Sequence, residues 1–220
     1  MNELAERRQE EKDRRRSDIL DAAETVARRT GLDGITMDQV ARQARLSRPL
    51  IYCYFRDREE LLFGLCQRAL QRLHRAFLAA TEGPTCGLAK TRACGEAYVR
   101  LWRDEPLLFA AMSRFEAHTP DIDNLAPNER ACVELGDAVQ RVLVDAIELG
   151  LRDGSIRHDV GSPNLVAVTL WGYLHGVLQL AATKANVLKH LGITLEGIVG
   201  QAFDLATRAL AAGPAAGTER

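Results

Sequence analysis

The chain has 220 residues, of which 46% are hydrophobic and 27% are charged, and this composition is typical of a soluble protein with a real core. No apolar run reaches the roughly 18 residues that would indicate a membrane span. Residues 3–16 are rich in charge, which excludes a secretory signal peptide at that position. We therefore expect a cytoplasmic protein without a membrane partner.

The five cysteines stand at positions 53, 66, 86, 94 and 132 and include no CxxC pair. Their odd number and the absence of a neighbouring HxxxH spacing argue against a zinc cluster and against a disulfide framework. We predict no metal and no cofactor, and we expect most of the thiols to act as small apolar fillers.

Charge is unevenly distributed along the chain, although the net charge is only −1. Residues 14–56 carry nine arginines and five acidic residues, whereas residues 57–220 carry 17 basic and 20 acidic residues. The small net charge argues against a histone-like, non-specific DNA binder. A basic N-terminal region fits a protein in which that region alone contacts phosphate. A solvated charged face would give an imbalance of the same size.

The first two helices are marked by apolar spacing and by their ends. Apolar residues recur at helical spacing from Ile19 onward and predict a helix over 14–30, which Gly31 ends. Thr36 and Gln39 have the spacing of a capping box, which predicts a short second helix that ends near residue 44.

Two further helix starts follow closely. Ser47 is placed to cap a third helix, with Pro49 in the first turn, where its missing N–H does no harm. Asp57 is placed to cap a fourth, with Glu60 three residues later, and this long helix extends to about Ala80. The sequence thus predicts one helix, then two short helices, then one long helix over residues 14–80.

Beyond Gly83 the sequence predicts five more helices and no convincing strand, so the fold class is all-α. Their predicted bounds are 87–103, 106–116, 127–152, 163–188 and 194–212. We predict an N-terminal three-helix domain and a six-helix C-terminal domain. The predicted segments are a charged extension (1–16), the three-helix domain (17–62), the six-helix domain (63–212) and a flexible tail (213–220).

Residues 36–55, TMDQVARQARLSRPLIYCYF, carry the functional motif. Five apolar residues are spaced so that two short helices pack against the first: Val40, Ala41, Leu46, Ile51 and Phe55. In a helix-turn-helix unit the second of these helices lies in the major groove, and its N-terminal residues face the edges of the bases. The motif therefore predicts binding to double-stranded DNA.

The segment ILDAAETVARRTGLDGITMDQVARQARLSRPLIYCYFRDREELL, residues 19–62, resembles the DNA-binding domain of TetR-family regulators. The resemblance implies contacts with bases or groove edges by Arg48, Pro49, Leu50, Tyr52 and Cys53. It implies contacts with phosphates by Thr36, Tyr54 and Arg58. Arg48 is the best candidate for reading sequence, because a guanidinium that contacts guanine O6 and N7 is the commonest specific contact.

Three features of the N-terminal region have an alternative interpretation. Leu50 could cover a thymine methyl group or simply pack. Cys53 is either a filler or a redox-sensing thiol in the reading helix. The arginines of the segment 14–16 could reach DNA, although the acidic residues beside them favour a solvated helical extension.

The resemblance implies that residues 17–62 form a helix-turn-helix DNA-binding domain and that residues 63–212 form the domain for ligand (effector) binding and dimerisation. It also implies a homodimer on a palindromic operator, and two helices supply an apolar surface for it. Helix 163–188 is apolar all round and helix 194–212 has one broad apolar face, as a four-helix interface requires. The predicted dimer contacts are Leu170, Trp171, Leu174, Val177, Leu178, Ile198 and Phe203. The Trp171 to Gly176 stretch resembles the Trp…His-Gly motif of one branch of these C-terminal domains. Its His175 is either an effector contact or a hydrogen-bonded core histidine.

Large side chains in and near helices 87–152 could line the effector cavity that the resemblance implies, or could be plain core. The candidates are Tyr98, Trp102, Phe109, Met112, Phe115, His118 and His175. Because few charged residues are predicted inside, we expect a small, mostly hydrophobic effector.

The resulting hypothesis is a repressor that such an effector releases from its operator. An effector-independent regulator or an activator is the alternative. No nucleophile–base set, Gly-rich phosphate loop or HExxH motif supports an enzyme.

Overall fold

The computed structural model describes residues 3–213, and this part of the chain is all-α, as predicted. Its helices, in chain order, are α1 (Glu3–Thr30), α2 (Met37–Ala44), α3 (Arg48–Tyr52), α4 (Arg58–Glu82), α5 (Gly87–Asp104), α6 (Pro106–Glu116), α7 (Pro127–Asp153), α8 (Pro163–Thr183), α9 (Ala185–His190) and α10 (Leu195–Leu210). A single 3₁₀ turn covers Ile122–Asn124. Within residues 3–213 the extended pairing is limited to one isolated bridge, between Ile156 and Ala211.

Local sequence signals place most of the helix ends correctly. Thr36 caps α2: its hydroxyl accepts from the Gln39 backbone N–H, and the Gln39 side chain accepts in return from the Thr36 backbone N–H at 2.9 Å. Asp57 Oδ1 accepts from the Glu60 backbone N–H at 2.9 Å, which confirms the predicted start of α4. Gly31 ends α1 with a φ of +72°, a conformation that costs glycine little.

One predicted helix boundary is wrong, and one predicted cap lacks its hydrogen bond. Ser47 stands at the N-cap of α3, as predicted, but its side chain makes no capping hydrogen bond. The predicted helix 163–188 is two helices, because Lys184 has a φ of −120° and interrupts the helical run after Thr183. The described part of the predicted charged extension belongs to α1, and residues 5–14 of it are exposed. The predicted tail lies outside the described residues from position 214 onward.

The chain divides into two compact units. The first comprises residues 1–71 and 105–135, and the second comprises residues 72–104 and 136–220. The first unit contains the whole predicted DNA-binding domain together with α6 and the beginning of α7. Both α4 and α7 are continuous helices whose residues belong to both units.

The first unit has an apolar core built from α1, α2, α3 and the start of α4. Ile19, Val40, Ile51 and Phe55 are fully buried in it, which confirms the predicted packing of the two short helices. Gly64 lets α4 approach closely, because a Cβ there would lie 2.8 Å from Phe55 Cε1. The core thus fixes α3 by its inward residues and leaves its other side exposed.

In the second unit, α5 and α7 approach each other very closely at one point. A Cβ at Gly87 of α5 would lie 1.9 Å from the backbone nitrogen of Gly150 in α7, so α5 needs glycine there, and a Cβ at Gly150 would lie 2.5 Å from Ile156 Cδ1. Asp153 Oδ2 accepts from the Gly87 N–H at 2.8 Å and secures the same end of α5. Ile156 is fully buried beside this contact.

Helix α8 is the most apolar helix of the second unit. It contains no Asp, Glu, Lys or Arg over 21 residues, and its best window reaches a mean hydropathy of 1.5. It is therefore long and apolar enough to cross a membrane by length and composition, and the prediction that no segment would be is wrong by this measure. Only 17% of that window is buried within the chain.

Candidate nucleic-acid interface

Helix α3 presents most of the predicted base-contacting residues to solvent. Arg48, Pro49, Tyr52 and Cys53 are exposed, and Leu50 is half-buried. Ile51, the inward residue of the same helix, is fully buried and holds α3 on the core. Because a single inward residue anchors so short a helix, its remaining side chains are free to face a ligand surface.

Arg48 has two neighbours that sequence analysis did not predict. Its Nε lies 2.9 Å from Oδ1 of Asp38, and the two side chains are 61% and 51% exposed. Its guanidinium carbon lies 5.7 Å from the centre of the Tyr52 ring. Hydrogen bonding with Tyr52, and then the charge of Asp38, raise the pKa of the Arg48 guanidinium, so Arg48 stays charged. A cation is therefore held at the start of α3.

The three residues predicted to contact phosphate differ in their exposure and in the contacts that they make within the chain. Thr36 is exposed and is engaged in the capping box of α2, and Tyr54 is half-buried against the core. Arg58 donates from Nε to the Ile35 carbonyl at 3.1 Å and from Nη2 to the Leu32 carbonyl at 2.9 Å. Arg58 thus ties the α1–α2 turn to α4, and its phosphate contact stays a prediction.

Helix α6 is joined to the DNA-binding segment by Arg114. Its Nη1 lies 3.2 Å from Asp33 Oδ1, and its Nη2 lies 3.1 Å from Glu59 Oε1. These contacts link the turn after α1 and the first turn of α4 to a helix more than 50 residues away. No local sequence pattern marks such a pair, so sequence analysis missed it.

A buried polar network connects α1, α4 and the first turn of α7. Arg16 Nη2 donates to Gln67 Oε1 at 2.8 Å and to Asn128 Oδ1 at 2.9 Å. Gln67 donates to the Asn128 carbonyl at 2.7 Å, and Asn128 donates to Glu60. Burial lowers the pKa of Arg16, with smaller opposing effects from nearby acids. Of the arginines in segment 14–16, Arg16 therefore has an internal role.

The candidate effector residues fall into two groups, one in each unit. In the first unit Phe109 and Met112 are buried, while Phe115 lies edge-on to Phe63 with 5.9 Å between ring centres. The exposed His118 hydrogen-bonds Glu129 through Nε2 at 2.7 Å.

In the second unit the Tyr98 hydroxyl and His175 Nδ1 are 2.9 Å apart, and Trp102 is half-buried. The hydrogen bond to Tyr98 favours the interpretation of His175 as an internally bonded histidine. Among the described residues, no group of His, Cys, Asp or Glu is arranged to hold a metal ion.

The predicted dimer contacts are not equally exposed. Leu178 is 0% exposed within the single chain, so it packs in the chain's own core, and its contact across a dimer interface stays a prediction. Trp171 is 40% exposed, and five predicted contacts are half-buried: Leu170, Leu174, Val177, Ile198 and Phe203. Phe203 also lies under the Arg92 guanidinium, 5.0 Å from its carbon. Other apolar side chains of α8 are more exposed than the predicted set, notably Leu165 and Val168.

These features define an all-helical protein with an exposed, cationic reading helix, and comparison with known families agrees. A family model for bacterial regulatory proteins of the TetR family matches residues 19–65, and a model for the tetracycline-repressor-like C-terminal domain matches residues 91–193. Together the two matches cover about two thirds of the chain. The chain belongs to the TetR family.

Two curated relatives share parts of this sequence. The uncharacterized HTH-type transcriptional regulator YfiR of Bacillus subtilis is 38% identical over 61 residues, which are 28% of this chain and 30% of that protein. An uncharacterized HTH-type transcriptional regulator of Haemophilus influenzae is 23% identical over 121 residues, which are 52% of this chain and 60% of that protein. The matched region thus spans less than two thirds of either relative.

Solved structures share the fold over nearly the whole chain. A protein of unknown function from Rhodococcus sp. RHA1 has a TM-score of 0.72 and 29% identity, and the match covers 90% of this chain and 95% of that one. FadR of Bacillus subtilis, in complex with stearoyl-CoA, has a TM-score of 0.68 and 16% identity, with coverage of 88% and 98%. Reduced NemR of E. coli has a TM-score of 0.67 and 18% identity, with coverage of 91% and 98%. At such low identity, the last two structures are evidence for the fold alone.

Proposed function

We propose that this protein is a cytoplasmic transcriptional repressor that binds a palindromic operator as a homodimer and is released by a small, mostly hydrophobic effector. The observation that carries the proposal is the exposed face of α3, which begins with Arg48 and is anchored by the buried Ile51. A guanidinium at the N-terminal end of a reading helix is well suited to bidentate contact with guanine.

Apolar exposure on α8 and α9 supports the homodimer. Five large apolar side chains of α8 are exposed in the single chain: Leu165, Val168, Trp171, Tyr173 and Leu180. Val187, in α9, and Leu191, just after it, are exposed as well. Apolar patches of this extent on a soluble protein indicate an interaction site. A two-fold axis would cover them with the same surface of a second copy.

Contacts of α6 within the first unit support effector release. Phe109 and Met112 are buried on this helix, and Arg114 ties the same helix to Asp33 and Glu59 at the DNA-binding segment. An effector that preferred a displaced α6 would therefore also displace the start of α4. A coupling free energy of about 1–3 kcal/mol would change operator affinity roughly 5- to 150-fold.

Selection from random DNA tests the DNA-binding part of this proposal. We expect the purified protein to enrich an inverted repeat whose half-site centres are about 34 Å apart. Arg48→Ala should lose most of this selectivity, whereas Arg103→Ala, which removes an exposed arginine of α5, should retain it. Failure of the wild-type protein to enrich any sequence, or equal selectivity of Arg48→Ala, would contradict the proposal.

Sedimentation and ligand titration test the remaining parts. Trp171→Glu should shift the sedimenting species from dimer to monomer, while Leu78→Glu, at an exposed position of α4, should not. An effector found by its melting shift should bind more weakly when the selected operator is present, by the same factor by which it weakens operator binding. Equal effector affinities with and without operator would refute release by coupling.

A further inference from the structure

Asp38 is an acidic side chain on the surface that we propose faces DNA. It lies in the first turn of α2, and its Oδ1 is 2.9 Å from Nε of Arg48, the first residue of α3. Duplex DNA carries about one negative charge per 1.7 Å of its axis, so an exposed carboxylate at this place opposes binding to any sequence. Because the Asp38 carboxylate weakens DNA binding in general, we expect it to have a role that compensates for this loss of affinity.

The contact with Asp38 involves Nε of Arg48 and not the two terminal nitrogens. A guanidinium has five N–H donors in a fixed planar fork, and the 2.9 Å contact joins Asp38 to the Nε side of that fork. The Tyr52 ring lies beside the same guanidinium, with 5.7 Å from the ring centre to its carbon. The paired N–H groups of the two terminal nitrogens point away from Nε and are the donors that a bidentate base contact uses.

We propose that Asp38 is a specificity-determining residue that holds the Arg48 guanidinium for one base pair and reduces its attraction to arbitrary phosphates. This inference rests on the proposed DNA-binding function and on Arg48 as a base-reading residue. Asp38 acts through Arg48, because its own carboxylate cannot donate a hydrogen bond to a phosphate or to guanine O6 and N7.

The Asp38 carboxylate restrains Arg48 and reduces its attraction to phosphate, and both effects raise the affinity for the operator relative to arbitrary DNA. Restraint by Asp38 and Tyr52 lowers the conformational cost of placing Arg48 against the correct base. The negative charge beside Arg48 offsets the charge that Arg48 would bring to a random phosphate. Without Asp38, the guanidinium is free to contact any phosphate, so affinity for arbitrary DNA rises more than affinity for the operator.

A purely structural role of Asp38 predicts a different result. An acid in the first turn of a helix interacts favourably with the helix N-terminus, and Asp38 occupies that place in α2. Loss of that interaction would lower the melting temperature slightly and would leave base preference unchanged. Base preference is therefore the measurement that separates the two roles.

The test compares Asp38→Asn with wild type, Arg48→Ala and the double variant, and uses Asp18→Asn as a charge-matched control at an exposed position of α1. Each protein is put through random-sequence selection. Its affinities for the selected operator and for a scrambled duplex are then measured at two salt concentrations. The melting temperature of each variant is recorded alongside.

We expect the operator-to-scrambled affinity ratio of Asp38→Asn to fall about fivefold or more, within the range that one bidentate base contact supplies. The salt dependence of scrambled binding should steepen by about one phosphate contact. The base position that loses preference should be the position lost in Arg48→Ala, and Asp38→Asn should change the ratio no further in the Arg48→Ala background.

An Asp38→Asn protein with the same base preference and affinity ratio as wild type and Asp18→Asn would overturn the role of Asp38, with or without a lower melting temperature. That result would leave the DNA-binding function intact, because wild type would still select an operator. A wild-type protein that selects no sequence would overturn the proposed function and, with it, this inference.

Discussion

Among the charged residues of the first unit, Arg68 is the one whose replacement we expect to lower the free energy of unfolding most. Its Nη1 lies 2.6 Å from Glu24 Oε1 and 2.5 Å from Asp21 Oδ1, and its Nη2 donates to the Ser17 carbonyl at 3.1 Å. The Arg68 and Glu24 side chains are only 13% and 9% exposed. This arrangement fixes α1 against α4, and through α1 it supports the core under α3.

The substitution Arg68→Ala leaves the Glu24 carboxylate buried, with Arg28 Nη2 at 3.5 Å from its Oε2. Breaking a buried ion pair by removing one partner costs about 3–5 kcal/mol. Because Arg28 remains and Asp21 is exposed, we expect the lower end of this range, about 3 kcal/mol. For a chain of this length such a loss corresponds to a decrease in melting temperature of roughly 6–12 °C.

Urea unfolding followed by circular dichroism at one fixed protein concentration measures this loss. The double variant Arg68→Ala/Glu24→Gln should recover part of the lost free energy, because no unpaired charge stays buried. Arg103→Ala, which breaks an exposed pair with Asp104, should change stability by less than about 1 kcal/mol. The reasoning is refuted if Arg68→Ala and Arg103→Ala prove equally stable.

Three smaller predictions follow from single side chains. Leu178→Ala should lower the free energy of unfolding by about 2–5 kcal/mol through cavity formation, whereas Leu78→Ala, at an exposed position of α4, should cost little; similar losses in urea unfolding would contradict the burial of Leu178. Thr36→Ala removes the capping box of α2 and should cost about 1 kcal/mol by the same assay, and no loss would mean that the cap contributes nothing. Burial raises the pKa of the Cys94 thiol from 9.0 to about 12, so the folded state keeps its proton where the unfolded chain loses it. The contribution of Cys94 to stability is therefore complete below pH 9 and decreases between pH 9 and about 12. A thiol reagent at pH 8 should modify the exposed Cys53 quickly and Cys94 only after unfolding, and equal rates would refute this assignment.

The sequence determined the features that depend on neighbouring residues. The capping box of Thr36, the cap of α4 at Asp57 and the left-handed glycines at positions 31, 154 and 192 all involve groups within a few residues of one another. Helical spacing of apolar residues likewise identified the core under α3, because one face of each short helix must be buried. These local rules were sufficient to predict an all-α chain and its reading helix.

The tertiary structure decided every feature that depends on distant residues. Asp38 meets Arg48 only because the turn brings the starts of α2 and α3 together, and Arg114 meets Glu59 across 55 residues of sequence. Helix α8 contains no Asp, Glu, Lys or Arg and has apolar residues on every side, so its sequence does not show which side turns inward, and the burial of Leu178 could not be predicted. Hydrophobic periodicity reports the contrast between the faces of a helix, and where that contrast is absent only packing selects the buried side.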